Sequence, residues 1–203
     1  MLALPPCPRG MVLWIAHDAA PRPAQHSDYL AQELRRASLA TLRLEPPGLD
    51  EPCADRRGFE LSRLAARLYC AAEWLAAEPV TKELALGLFG TRLDAAAALQ
   101  LAARRPDRVA AVVTSGGRPD LAGTKALAQV RAPTLLLVEE DDPAVVDCNR
   151  RAFELLGCEK DLAVIRGAVD RTERREPLPE VARLAARWFT GYLGADPAPA
   201  PAS

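Results

Sequence analysis

The chain has 203 residues, of which 49% are apolar and 5% aromatic, and 26 basic against 27 acidic side chains leave a net charge of −1. This length is enough to bury one sizeable core. The near-neutral balance argues against nucleic acid or an anionic membrane as partner, and no apolar run reaches the roughly 18 residues of a bilayer-spanning helix. We therefore expect the partner to be a small-molecule ligand or another protein.

The cysteines and the start of the chain indicate a cytoplasmic protein. The five cysteines include no CxxC pair, so we expect reduced thiols. The two histidines lie far from any cysteine cluster, and no metal site is predicted. The first residues, MLALPPCPRG, have prolines where a signal peptide needs an apolar helix.

Short apolar runs alternate with helical periodicity along the whole chain. The pattern predicts strands at 11–16, 39–44, 84–89, 109–114, 134–139 and 162–166. It predicts helices at 27–37, 59–78, 93–105, 143–157 and 178–193. Ser27 or Asp28 is the expected N-cap of the first helix. The alternation predicts an α/β protein, a three-layer αβα sandwich with a mainly parallel sheet of about six strands.

The domain organisation expected from this pattern is simple. One domain covers residues 10–193, after an N-terminal extension at 1–9 and before a disordered Pro/Ala-rich tail at 194–203. Ligands bind parallel sheets at the carboxyl ends of the strands. The loops at those ends begin near His17, Glu45, Gly90, Ser115, Glu139 and Gly167.

Nucleotide-binding motifs are missing from the glycine-containing turns. The run GLFGTR does not fit GxGxxG, and no GK[ST] follows a glycine loop. We therefore predict no cofactor.

The turn after the strand at 84–89 is the first candidate site. It reads Gly90-Thr91-Arg92-Leu93-Asp94 and leads into an alanine-rich helix. A nucleophile elbow, GxSxG, has the same strand–turn–helix frame with an exposed serine at its centre. Here the first glycine is present, whereas the serine and the second glycine are not. The alternative is an ordinary connection in which Asp94 helps to cap the helix.

Two acidic loops are the other candidates. In VEEDDPAVV, Asp141 or Asp142 can cap the next helix with Pro143 at its first position, or it can supply an acid to an active site. In VIRGAVDRTERREP, Asp170 lies in a charged loop that by itself favours a solvated surface.

Several segments together resemble the dienelactone-hydrolase-like branch of the α/β-hydrolase superfamily. They are GLFG, AARRPDRVAAVVTSGGRPDLAG, VRAPTLLLVEEDDP and LAVIRGA, and the resemblance covers about residues 10–193. It implies a compact α/β-hydrolase fold without a lid domain. Proteins of this branch occur alone or fused to phosphoribosyltransferases.

The resemblance also implies positions for a Ser-Asp-His triad. The serine position is Arg92, the acid position is Asp142, and the histidine position is Asp170. The oxyanion positions are His17 and Asp18 after the first strand, and Thr91 and Leu93 beside the elbow. Asp94 and Ser115 fall where a pocket would lie. Of the family's triad and oxyanion residues, only the acid and His17 are kept.

These replacements predict that Ser-His-Asp hydrolysis is lost. Arginine cannot attack a carbonyl, and an aspartate is a weak base at neutral pH. Loss of the nucleophile alone lowers turnover by on the order of 10⁶ in a serine protease. The predicted function is that of a pseudoenzyme acting as a binding or interaction module. We expect Arg92 to pair with Asp94, Asp142 or Asp170, since a buried unpaired arginine would cost several kcal/mol.

Two alternatives stay open at the level of sequence. The chain could be an active ester or lactone hydrolase in which Ser115, Cys148 or Thr91 is the nucleophile and His17 the base. Its oligomeric state could be monomer or homodimer.

Overall fold

The structure is a computed structural model that describes residues 1–16, 23–45, 56–165 and 178–194. The strands are β1 (Leu2–Ala3), β2 (Met11–Ile15), β3 (Ala40–Leu44), β4 (Leu86–Thr91), β5 (Val109–Ser115), β6 (Thr134–Glu139) and β7 (Lys160–Ile165). The α-helices are α1 (Pro23–Arg36), α2 (Arg56–Ala77), α3 (Asp94–Arg104), α4 (Thr124–Gln129), α5 (Pro143–Leu155) and α6 (Leu178–Leu193). A 3-10 helix covers Pro119–Ala122.

The strands form one sheet in the order β1-β3-β2-β4-β5-β6-β7. Neighbouring strands from β3 to β7 are parallel, and only β1 is antiparallel to its neighbour. All five residues of β2 are buried, as expected for a strand covered on both faces. The predicted parallel sheet is confirmed. The additional strand, β1, comes from the segment assigned to an N-terminal extension, and its two residues are too few to show a strand pattern.

Helices cover both faces of the sheet. Alternate residues of β5 point into two separate cores, with Val112 in one and Val113 in the other. The first core packs against α2 and α3, and the second packs against α1 and α6. This arrangement confirms the three-layer αβα sandwich. None of the described helices has the length and apolar character that a membrane crossing would require.

The start of α1 differs from the prediction. The helix begins at Pro23, so Ser27 and Asp28 lie inside it and neither is the N-cap. Proline is tolerated in the first turn because its missing N–H would have no helical acceptor there. The 3-10 helix and α4 are also absent from the prediction, because four and six residues are too few to establish a helical period.

Helix α6 lies unusually close to the sheet. A Cβ added to Gly87 would lie 2.7 Å from ring carbons of Phe189, which is fully buried. The Trp188 Nε1–H donates to the carbonyl oxygen of Pro133 at 3.3 Å. The Tyr192 hydroxyl donates to Glu159, and burial together with that carboxylate raises the pKa of Tyr192 to about 12. Because a side chain at position 87 would collide with Phe189, the close approach of α6 to the sheet depends on the glycine in β4.

Candidate functional site

The candidate residues that the structure describes meet at the carboxyl edge of three adjacent parallel strands. Thr91 at the end of β4 is the register partner of Ser115 at the end of β5, and Ser115 is that of Leu137 in β6. The turn containing Arg92 follows β4, and Asp142 follows β6. These residues therefore lie at the same edge of the sheet, as expected for the carboxyl ends of parallel strands.

The turn after β4 has the backbone geometry of an elbow. Arg92 has a φ of +50°, in the left-handed region that disfavours residues with a Cβ. It stands between the last residue of β4 and the first turn of α3. A strained residue at a strand-to-helix turn is the position at which hydrolases of this architecture expose a nucleophile.

Close backbone packing explains the glycine that begins this turn. A Cβ on Gly90 would lie 2.7 Å from the Ala95 Cα and 2.9 Å from the Asp94 carbonyl oxygen. The N-cap of α3 is Leu93, which makes no side-chain cap. Asp94 is instead the first helical residue, with 1% exposure. The expectation that Asp94 caps the helix is therefore replaced by a position inside its first turn, where the helix dipole favours a negative charge.

A second turn, after β5, packs directly on the elbow. The Arg118 backbone N–H donates to the Arg92 carbonyl oxygen at 2.8 Å. A Cβ on Gly117 would lie 2.4 Å from the Cβ of Ala95, so only glycine fits there. The buried Asn149 amide Nδ2 donates to the Gly117 carbonyl oxygen at 3.1 Å and to that of Val145 at 2.9 Å. Sequence reasoning missed this support, although the SGG run marked the turn.

The Arg92 side chain is exposed. Among the ion pairs between described residues none includes Arg92, so the expected pairing with Asp94 or Asp142 is not found. The expectation assumed a buried guanidinium, whereas an exposed one is solvated by water and needs no carboxylate. The third expected partner, Asp170, lies outside the described residues, and that pairing stays a prediction.

Asp142 is the N-cap of α5. Its Oδ1 accepts hydrogen bonds from the backbone N–H groups of Ala144 and Val145, both at 3.1 Å. Pro143 follows at the first helical position, as the sequence predicted. The carboxylate that the resemblance assigns to the acid position of a triad therefore has a structural role of its own.

A second charged cluster lies where the 3-10 helix meets α5. The Arg118 guanidinium donates to both carboxylate oxygens of Asp120, at 2.9 and 2.8 Å. These hydrogen bonds lower the pKa of Asp120 and raise that of Arg118. Arg151 Nη2 lies 3.3 Å from the Cys148 Sγ, and this contact raises the pKa of Arg151.

The nucleophiles of the alternative hydrolase hypothesis differ in accessibility. Cys148 is inside α5 with 6% exposure, so an ester could not reach its thiol without displacing packed side chains. Thr91 and Ser115 are half-buried at adjacent strand ends. His17, the proposed base, lies outside the described residues, as does Asp18. Within the described ranges, no group of three metal-binding side chains is found.

A cavity of about 530 Å³ lies away from the elbow. It is lined in part by Pro106, Val130 and Cys158, each of which precedes a strand of the sheet. The cavity is therefore at the amino ends of the strands, on the edge opposite the triad positions, and we assign it no part in the candidate site.

Comparison with solved structures finds a protein similar over nearly the whole chain. A dienelactone hydrolase from Anabaena variabilis is 40% identical, covers 95% of this chain and 90% of its own, and superposes with a TM-score of 0.82. An esterase domain from Rhodothermus marinus is 21% identical, with 95% and 92% coverage and a TM-score of 0.72. Est1E from Butyrivibrio proteoclasticus is 13% identical, with 96% and 95% coverage and a TM-score of 0.74.

Sequence comparison adds longer relatives. Proteins from two strains of Mycobacterium tuberculosis, each named "Putative phosphoribosyl transferase", are 38% identical over 192 residues, which is 95% of this chain. The chain spans only 43% of their length. No protein-family profile matches the chain.

Proposed function

Because the chain belongs to the dienelactone-hydrolase-like branch of the α/β-hydrolase superfamily, we propose that it has lost Ser-His-Asp hydrolysis and binds an anionic ligand at the elbow. The observation that carries the proposal is Arg92, an exposed cation held at φ +50° in the nucleophile position. An arginine in this strained turn places a positive charge where hydrolases with this fold expose the hydroxyl oxygen of their nucleophilic serine.

The chemistry of the turn supports loss of the ancestral reaction. A guanidinium stays protonated in proteins and is not a nucleophile. Asp94, which is buried in the first turn of α3, takes the place of the second glycine of an active elbow.

The charges around the turn support anion binding. Asp142 directs its Oδ1 to two backbone N–H groups of α5, and Asp120 is engaged by Arg118 in a bidentate pair. Neither of these carboxylates forms an ion pair with Arg92 in the described structure. No carboxylate among the described residues engages the Arg92 guanidinium, which can bind a carboxylate or a phosphate through two parallel N–H···O hydrogen bonds.

Ligand-induced stabilisation tests the binding half of the proposal. We expect malonate, benzoate or inorganic phosphate to raise the melting temperature of the unmodified chain, because a ligand that binds the native state stabilises it. The variant Arg92→Gln should lose this shift, and Arg92→Lys should keep part of it. The same shift in Arg92→Gln and in the unmodified chain would contradict binding at the elbow.

Enzyme assays test the other half. The unmodified chain should hydrolyse p-nitrophenyl acetate and dienelactone no faster than buffer. The combined reversion Arg92→Ser, Asp94→Gly and Asp170→His restores a nucleophile, a close helix approach and a base, so we expect it to gain turnover. The single variant Arg92→Ser is the matched control, since it supplies a hydroxyl without a base.

A second candidate is an ester or lactone hydrolase with a displaced nucleophile. Its support is the register of Ser115 beside Thr91 at the elbow, and the 40% identity to a dienelactone hydrolase. In that case the unmodified chain turns over substrate, and Ser115→Ala or His17→Ala abolishes the reaction. Turnover that survives both substitutions would contradict this candidate as well as the first.

A further inference from the structure

Helix α2 has apolar residues on two opposite faces. Its inner face packs into the core through Leu64, Leu68 and Leu75, each with 1% exposure. The opposite side carries residues at intervals of three or four that are all exposed. They are Phe59, Ser62, Ala66, Cys70, Trp74 and Ala77. We refer to these six residues as the outer stripe.

The outer stripe is an unusual surface for an isolated helix. Trp74 is 46% exposed and Phe59 is 39% exposed. The solvent-facing side of a surface helix usually carries charged and polar residues instead of large apolar ones. The residues between them, Ala66 and Cys70, are small. Small residues between large ones allow a second helix to approach closely.

A basic and an acidic residue lie beside the two ends of the stripe. Arg63 lies in the amino-terminal half, and Glu78 follows the last residue of the helix. The first turn has no acidic residue and the last turn no basic one, so these turns do not compensate the helix dipole. A second copy of α2 running antiparallel places each Arg63 opposite the partner's Glu78, so that these two charges are matched across the contact, although Glu60 and Arg67 leave neither half of the helix with a single sign.

We propose that the outer stripe of α2 is the interface of a homodimer in which two α2 helices pack antiparallel across a two-fold axis. Such an interface is isologous, so the same patch must be complementary to itself. Pairing Arg63 with the partner's Glu78 places the axis midway between them, beside Cys70. The same pairing brings Trp74 of each copy next to the partner's Arg67, a cation–π arrangement.

The size of the stripe sets the expected affinity. A helix of 22 residues is about 33 Å long, and a contact band about 10 Å wide covers roughly 330 Å² per copy. A standard stable interface buries about 800 Å² per partner. We therefore expect a weak dimer that dissociates at micromolar concentration.

Charge reversal tests the pairing. Sedimentation velocity on the unmodified chain, from micromolar to near-millimolar concentration, should show a reversible monomer–dimer equilibrium. Arg63→Glu alone and Glu78→Arg alone should each be monomeric, because each brings like charges together. The double variant, and an equimolar mixture of the two single variants, should dimerise again because every pair is opposite in sign.

The monomer should tolerate these changes. Neither Arg63 nor Glu78 forms an ion pair within the described residues. Arg63→Glu gives up only the contact of the guanidinium with the Phe59 ring, 5.6 Å from its centroid, and Glu78→Arg places a cation where the helix dipole favours one. Melting temperatures within a few degrees of that of the unmodified chain at low concentration would show that the fold is intact. Arg187→Glu, an exposed arginine on α6, is the matched control and should leave the dimer unchanged.

Cysteine cross-linking gives a second readout. In the proposed dimer the two Cys70 thiols face each other, so diamide, which accepts two hydrogens, should oxidise them to an intermolecular disulfide. Cys7→Ser should keep the cross-linked dimer, whereas Cys70→Ser should lose it. A chain that stays monomeric, or a dimer unaffected by both charge reversals, would overturn the proposal and assign the stripe to a different protein or to none.

Discussion

Arg92 shows what local sequence rules can and cannot give. The sequence predicted a turn at Gly90 because a strand ends there and a helix begins. It did not predict that Arg92 itself adopts φ +50°, or that its side chain is exposed. The elbow packs against α3, which follows it directly, and against the turn after β5, which is distant in the chain and could not be paired with it from local sequence.

The strain at Arg92 leads to a stability prediction. Replacing Arg92 by glycine removes the Cβ that makes φ +50° unfavourable, and the exposed side chain has little packing to lose. We expect Arg92→Gly to stabilise the chain by about 1 kcal/mol, or roughly 2–4 °C in melting temperature. Arg92→Ala keeps the Cβ and should melt like the unmodified chain. Equal gains in both variants would show that the benefit comes from removing the charge and not from the backbone.

The role of Asp142, in contrast, could be predicted from a pattern of only a few residues. An aspartate followed by proline after a strand indicates an N-cap, and the two 3.1 Å bonds to Ala144 and Val145 confirm it. We expect Asp142→Ala to lower the free energy of unfolding by about 1 kcal/mol in urea denaturation. Asp142→Asn keeps an acceptor oxygen and should cost far less. A similar loss in both variants would mean that the charge matters more than the cap.

At the level of elements, length decided what could be predicted. Strands of five to seven residues and helices of eleven or more give a recognisable period, and the predicted ones are present. The 3-10 helix at Pro119–Ala122 gives none, yet it supplies Asp120 and follows directly on Gly117 and Arg118, which pack on the elbow. The part of the candidate site that is hardest to predict is therefore the part built from short elements.

The Arg118–Asp120 pair that anchors this 3-10 helix predicts a pH dependence. The pKa of Asp120 is below its ordinary value of 3.8 in the folded chain, chiefly because of the hydrogen bonds from Arg118. A carboxyl whose folded pKa is lowered contributes stability above its unfolded pKa and loses it as the pH falls through the folded value.

Asp120→Asn should accordingly be less stable than the unmodified chain at neutral pH. The difference should shrink as the pH falls below about 4, measured by urea denaturation at each pH. Arg118 is 40% exposed, so solvent screening keeps the effect modest. A difference that is constant from neutral to acidic pH would contradict an electrostatic origin.

For the whole molecule, the sequence predicted the three layers, but it did not predict which residues of one layer contact which residues of the next. Alternating apolar runs are sufficient to indicate a parallel sheet between helices. They do not indicate that the Asn149 side chain donates a hydrogen bond to the carbonyl of Gly117, 32 residues away in the chain, or that α6 packs against a glycine in β4. Triad positions could be located only through the resemblance, and His17, Asp18 and Asp170 remain predictions since they lie outside the described residues.

The contact between Gly87 and Phe189 joins the sheet to its last helix, and it makes a non-additive prediction. Gly87→Ala places a Cβ 2.7 Å from the ring of Phe189, and overpacking of this kind costs about 1–3 kcal/mol. Phe189→Ala empties a fully buried site and should cost about 3–5 kcal/mol. In the double variant the added methyl no longer meets a ring and partly fills the space that the ring has left. The combined loss in urea denaturation should therefore be smaller than the sum of the two single losses, whereas strict additivity would show that α6 does not depend on this contact to lie where it does. Gly191→Ala, with no atom within 4 Å of its added Cβ, is the control for an alanine introduced without steric conflict.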